Sequence, residues 1–294
     1  DYVYSGDYNM VWEDGKKLYI CPQCAQDILV IEEDGTRSTV QLRPVTLKSQ
    51  AFHWSYKWER WLILCPVQYP AIVRYDIRNG ELRYFTEHID VFVKEINGAL
   101  KVGCSTLQNG KYYNFSPIDR QVYILDVETG ESVIKELPTK NQCGYAGVVI
   151  YKDEFWLMPY GGERLSVTCW NPKTNEVKEY DQFPEEFRCM ALNGNYECAE
   201  LPFINCAFYG QYLYLTPNLG NMYVKLDTVT GEMTQWIPPF GENGGKEYFY
   251  TLSRSVFLHG IPDERGMTPI FFHPTRTLYE INPEAGVYSE FKIH

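Results

Sequence analysis

The stretch Gly210 to Trp236, GQYLYLTPNLGNMYVKLDTVTGEMTQW, decides the fold. It sets two runs of alternating apolar residues around a Pro-containing loop, and an Asp-Thr-Val-Thr-Gly-Glu turn leads into a third run. Apolar residues at period two mark half-buried strands, and a Gly-ended turn between such runs marks a hairpin. Versions of the pattern recur six times. Its marker runs are Lys16 to Gly35, Arg60 to Glu81, Lys111 to Glu131, Glu154 to Glu176, Gln211 to Glu232 and Thr268 to Gly286. Pro22, Pro66, Pro117, Pro159, Pro217 and Pro274 hold equivalent places, 42 to 58 residues apart. That period is close to the length of a four-stranded propeller blade.

The turn has a mechanism. Asp76, Asp126, Asn171, Asp227 and Asn282 stand four residues before Gly80, Gly130, Asn175, Gly231 and Gly286. A short polar side chain at the first turn position bonds the backbone ahead of it, and Gly or Asn then supplies the left-handed conformation. The first repeat differs, with Ile31 at the Asp position and only Gly35 retained. Five residues after each Gly position come Val40, Phe85, Lys135, Tyr180, Trp236 and Phe291, the residues expected to pack an outer strand on the next blade. Lys135 implies a local register shift.

Another strand-like run precedes each marker pair: 8–12, 51–58, 99–107, 145–151, 203–209 and 248–258. Calling these strands a, each repeat is a complete a-b-c-d sheet. The expected fold is all-β: a single domain over 1–294, a β-propeller with six four-stranded blades at about 8–42, 51–85, 99–138, 145–180, 203–237 and 248–293. A seven-bladed parent follows if another blade precedes Asp1. Within the d–a loops, Ile89, Phe92, Val93 and Ile96 repeat at helical spacing, and Pro184 to Phe187 reads as a first helical turn.

Composition narrows the partners. The chain of 294 residues carries a net charge of −11 and no Lys/Arg-rich run, so it repels phosphate backbones; nucleic acid is an unfavourable partner. No apolar run reaches the ~20 residues of a membrane-spanning helix, so no membrane insertion is expected. Nine Cys, an odd number without framework spacing, read as reduced thiols filling core positions, which favours a reducing compartment. Cys21-Pro-Gln-Cys24 is a C-x-x-C, but Cys21 aligns with Cys65, Ser116, Thr216 and His273 before the repeat Pro. That makes it a strand-end residue, with no second ligand pair at zinc spacing.

Function is expected where the copies differ. The a–b and c–d connections are tight, whereas the d–a connections are long, notably 86–98, 181–202 and 238–247. Long loops that cost entropy to order are usually functional. In a propeller the d–a and b–c loops share a face, at the mouth of the channel lined by strands a. The candidate ligand-binding residues there are Trp54, Tyr145, Tyr160, Tyr196 and Tyr248, whose rings stack on sugars or anchor a peptide. Glu163, Glu197, Arg164 and Arg188 are their charged neighbours, with His53 and His259 on strands a. Converging imidazoles bind metal or move protons, and paired carboxylates cleave glycosidic bonds or hold calcium.

The D-x-x-T-G-E turn followed by an aromatic, best seen in Asp227 to Trp236, resembles the blade signature of quinoprotein-like and TolB-like propellers. The tryptophan-docking pattern of quinoproteins is not kept across the blades, so the resemblance implies fold and no quinone. The repeat style is also similar to that of propeller proteins from anaerobic Gram-positive bacteria. The expected function is therefore a non-catalytic recognition propeller for a glycan or a protein segment, part of a larger chain or assembly and without a cofactor or bound metal. The alternative is a six-bladed hydrolase or lyase acting on a sugar or lactone, aided by a divalent cation such as calcium.

Overall fold

The computed structural model describes residues 6–48, 50–96, 99–141, 143–162, 164–189, 199–240, 255–258 and 260–292. It contains six four-stranded antiparallel sheets, each with its strands in sequence order, and the fold is an all-β six-bladed propeller. The first blade is β1 (Tyr8–Asp14), β2 (Lys17–Pro22), β3 (Asp27–Ile31) and β4 (Arg37–Gln41). The second is β5 (Phe52–Trp58), β6 (Trp61–Pro66), β7 (Ile72–Asp76) and β8 (Leu82–Phe85). A separate hairpin of β9 (Val93–Ile96) and β10 (Ala99–Val102) precedes the third blade, β11 (Ser105–Gln108), β12 (Lys111–Phe115), β13 (Gln121–Asp126) and β14 (Ser132–Glu136).

In the fourth blade, β15 (Tyr145–Tyr151) and β16 (Glu154–Pro159) are followed by the two-residue β17 (Gly161–Gly162), then by β18 (Val167–Trp170) and β19 (Val177–Tyr180). β17 leaves the blade and pairs with β20 (Ala199–Glu200) from the next d–a loop. The fifth blade is β21 (Phe203–Tyr209), β22 (Tyr212–Pro217), β23 (Tyr223–Asp227) and β24 (Met233–Trp236). The sixth is β25 (Ser255–Phe257), β26 (Thr268–Phe272), β27 (Thr277–Asn282) and β28 (Val287–Lys292). The chain divides into two compact units. One is Asp1–Val102 with Thr106–Asn114 and Tyr123–Lys135; the other is Gly103–Ser105, Phe115–Val122 and Glu136–His294.

The c–d turns form as their sequence dictates. Asp227 Oδ1 accepts from the backbone N–H of Val229 at 2.8 Å and of Thr230 at 3.1 Å, and Asn171 and Asn282 each hold two N–H groups in the same way. The residue four places on is left-handed each time, including Asn175 at φ 62°. Outer-strand side chains then pack toward the following blade: Val40, Phe85, Tyr180 and Trp236 each join an inter-blade core. Lys135 and Phe291 join none of these cores, and Phe291 is 52% exposed.

One device was not anticipated. Tyr8, Phe52, Tyr145 and Phe203 pair with Pro22, Pro66, Pro159 and Pro217, and in each hairpin the register slips just after that aromatic. The slip leaves one extra residue, a β-bulge, at Asn9, His53, Ala146 and Ile204. Bulges bend a strand and re-aim the side chain at the extra position. Phe52, Tyr145 and Phe203 expose nothing.

Three expectations are corrected. The helix at 89–96 is a 3-10 turn, Ile89–Val91, running into β9, because Val93 to Ile96 finds a partner strand in Ala99 to Val102. The inner strand of the third blade consequently starts at Ser105 rather than at 99. Pro184 to Phe187 makes one turn, closed by Phe187 N–H to Pro184 O at 2.8 Å, and does not continue as a helix.

Cations tie neighbouring blades together. The buried Arg74 of β7 stacks on Trp61, 4.0 Å from guanidinium carbon to ring centre, and donates to the carbonyls of Val127 and Glu128 (2.8 Å to the latter) in the c–d turn of the third blade. Lys225 occupies the matching place in β23 and pairs at 3.0 Å with Glu284, in the c–d turn of the sixth blade. A buried cation is tolerated only with such compensation.

Candidate functional site

The bulge positions differ chemically, and the difference locates the candidate site. The fourth and fifth blades place Ala146 and Ile204 there, whereas the first and second place Asn9 and His53. Asn9 Nδ2 donates to the carbonyl oxygen of His53 at 3.0 Å, which ties the two bulges together. One strand pitch further along, Trp12 Nε1 donates to Ser55 Oγ at 2.9 Å, so the backbones of β1 and β5 are fixed on both sides of the site.

The His53 side chain is exposed and has no hydrogen-bond partner among the described residues. Its ring centre lies 6.4 Å from that of Trp54. Protein atoms still crowd the imidazole on its closed side, and the resulting desolvation lowers its pKa below the ordinary value of 6.5. At neutral pH the ring is thus uncharged, one nitrogen a donor and the other an acceptor. Trp54 is 43% exposed. Asn9 Oδ1 is buried and meets no donor among the described residues. The arrangement presents an indole beside an uncharged imidazole on β5, which Asn9 and Trp12 tie to β1.

The other candidates separate clearly. Tyr145 is fully buried as the aromatic that anchors its bulge, with its ring edge-on to Phe115 at 6.1 Å and its hydroxyl 3.4 Å from Thr168 Oγ1. It is a core residue and offers no contact surface. Tyr160 is 9% exposed, its backbone held by Gly144 O and by Leu201 N–H. Arg164 is exposed beside β17. Arg188 donates from Nη1 to the carbonyls of Glu185 and Phe187, and its backbone N–H is fixed by Asn221 Oδ1 at 2.8 Å, so this cation braces its own loop. Beneath that loop Phe183, Phe187 and Phe203 stack with ring centres 4.9 to 5.9 Å apart. Glu163, Tyr196, Glu197, Tyr248 and His259 lie outside the described residues. His53 and Trp54 belong to the first unit, and Tyr145, Tyr160, Arg164 and Arg188 to the second.

Comparison with solved structures shows the same architecture. Virginiamycin B lyase from Staphylococcus aureus matches with a TM-score of 0.56 and 12% identity over 99% of this chain and 86% of that one. The extracellular domain of a putative hybrid two-component system from B. thetaiotaomicron matches with a TM-score of 0.59 and 11% identity, over 100% of this chain and 35% of that one. A computationally designed protein, Ika8, matches with a TM-score of 0.54 and 8% identity over 99% and 89%. At these identities the likeness is one of fold, which hosts unrelated functions. No family model matches the sequence, and no curated protein matches it.

Cys21, the first thiol of the C-x-x-C, is fully buried, and burial pushes its pKa up to about 11, which disfavours the thiolate that redox or zinc chemistry needs. Among the described residues no three His, Cys, Asp or Glu side chains gather as a metal-binding group. Asn9 was missed in the sequence because the bulge that aims position 9 is a property of strand register. The constant spacing of fourteen residues from Tyr8, Phe52, Tyr145 and Phe203 to the repeat Pro was the available signal.

Proposed function

We propose that the chain is a recognition propeller that binds a glycan through the inner strands of its first two blades. The observation that carries the reading is the exposed Trp54 indole beside His53, an uncharged imidazole with no partner among the described residues. A pyranose ring stacks its C–H face on an indole, while its hydroxyls need neutral donors and acceptors of the kind His53 supplies. The chain's net charge of −11 favours neutral over acidic sugars. Titration against a panel of neutral oligosaccharides tests this. Trp54→Ala is expected to weaken binding by roughly tenfold or more, the loss typical of an aromatic anchor. Unchanged binding in both Trp54→Ala and His53→Ala would place the site elsewhere.

A lyase or hydrolase acting on a sugar or lactone is the second reading, favoured by one observation. An uncharged imidazole exposed on an inner strand is suited to act as a general base. The likeness to virginiamycin B lyase adds a substrate class to try, and a divalent cation such as calcium would need carboxylates beyond the described residues. Incubation with a streptogramin B or a sugar lactone, with and without calcium, tests it. Turnover abolished by His53→Ala supports the enzyme, whereas absence of turnover in all conditions removes it.

A further inference from the structure

A cleft of about 200 Å³ lies on the first unit between the outer strand of the second blade and the third blade, away from the His53 strand. β8 alternates its side chains: Leu82 and Tyr84 pack into the core shared with the first blade, which leaves Arg83 and Phe85 facing the third. Arg83 Nη1 donates to Thr129 O at 3.0 Å, and its guanidinium lies 5.0 Å from the Phe85 ring centre. It rests on Gly130, where an added Cβ would come within 2.6 Å of Nη1. Gly130 is left-handed at φ 79°, so the turn and the seat for Arg83 require the same glycine.

The charges of this cleft are unusual for so acidic a chain. Arg83 has no ion pair with a carboxylate among the described residues, and Arg74 behind it is a second guanidinium whose pKa is lowered by burial and then by the charge of Arg83. A carboxylate, Glu87, also lines the cleft. Tyr123 lines the cleft as well. Its side chain is fully buried, and its hydroxyl meets no partner at hydrogen-bonding geometry among the described residues. Burial raises the phenol's pKa, and the nearby Ser132 hydroxyl draws it partly back without reaching that geometry. A buried hydroxyl left unpaired costs free energy that a polar ligand atom recovers.

We propose that this cleft binds a small zwitterion of the amino-acid type. The ligand carboxylate would lie on Arg83, its ammonium near Glu87, and the Tyr123 and Ser132 hydroxyls would complete the carboxylate's shell. Size agrees, since the cavity falls below the ~300 Å³ at which drug-sized sites begin. Charge pattern decides the class: one guanidinium and one carboxylate on the lining of the same cleft suit a ligand carrying both signs and disfavour a polyanion.

The test is calorimetric titration of the full chain with glycine, acetate and inorganic phosphate as probes. Glycine is expected to bind with a Kd on the order of 1 mM or tighter, and at least about tenfold better than acetate. Arg83→Gln should abolish binding. Glu87→Gln should weaken glycine and leave acetate unchanged. Tyr123→Phe should weaken glycine severalfold while leaving unfolding stability equal or higher, because the hydroxyl has no protein partner to lose. Equal binding of glycine and acetate, tighter binding of phosphate, or no glycine binding overturns the proposal. So does a Tyr123→Phe variant that is destabilised with unchanged glycine affinity.

Discussion

His53 concentrates the chemistry of the candidate site into one ring, and its behaviour with pH follows from its position. Crowding by protein disfavours the imidazolium, so the folded-state pKa lies below the ordinary value of 6.5. A depressed pKa means that the unfolded chain binds the proton more readily. The stability His53 contributes is therefore complete above pH 6.5 and is lost as pH falls through the folded value. Proton NMR should show the His53 ring titrating below the usual imidazole range, and His53→Asn should remove part of the acid sensitivity of the unfolding midpoint. A His53 pKa at or above the ordinary value would refute the crowding argument. Tyr145 teaches the complementary lesson. The sequence reads it as a contact aromatic at the start of the strand 145–151, yet the register of β15 turns its ring inward. A tyrosine's exposure is decided by register, which composition does not reveal.

Among elements, the hairpin of strands a and b is the unit that repeats most faithfully, and its entry is tightly constrained. Gly144 sits immediately before β15 at φ 66°, with the carbonyl carbon of Pro117 2.3 Å and Ile118 N 2.4 Å from where a Cβ would be. Both are backbone atoms and cannot swing aside. Gly144→Ala combines the ~1–2 kcal/mol cost of a left-handed alanine with a backbone collision, so a loss of more than about 3 kcal/mol is expected. Denaturant unfolding checks it, and a loss below about 1 kcal/mol would mean that the two loops are not held this closely. The c–d turns were legible residue by residue, because an Asx side chain and a left-handed position four places on are local requirements. The segment 89–96 was misread for the converse reason. Helical spacing of Ile89, Phe92, Val93 and Ile96 is also compatible with a short turn plus a strand, and the partner strand at 99–102 decided the outcome.

For the whole molecule, the cysteines report how much of the chain is core. Among the eight described cysteines, Cys21, Cys65, Cys104, Cys169, Cys189 and Cys206 are buried, while Cys24 and Cys143 are partly exposed. Burial pushes the Cys169 thiol up to about 12, and those of Cys104 and Cys206 are raised as well. Thiol labelling of the native protein followed by mass spectrometry should modify Cys24 and Cys143 first and the six buried thiols only on unfolding. Early labelling of Cys21 or Cys206 would contradict the packing described.

The six repeats, their strands, their turns and the acidic surface are legible along the chain, because each rests on local propensity and on a period that neighbouring residues share. Which side chains face solvent is set by packing. The bulges of β1 and β5, the burial of Tyr145 and Tyr160, and the seating of Arg83 against Thr129 and Gly130 all depend on how strands register and how blades pack. A one-residue slip turns a side chain to the opposite face of a sheet, and the composition of the strand is the same on either side of that slip.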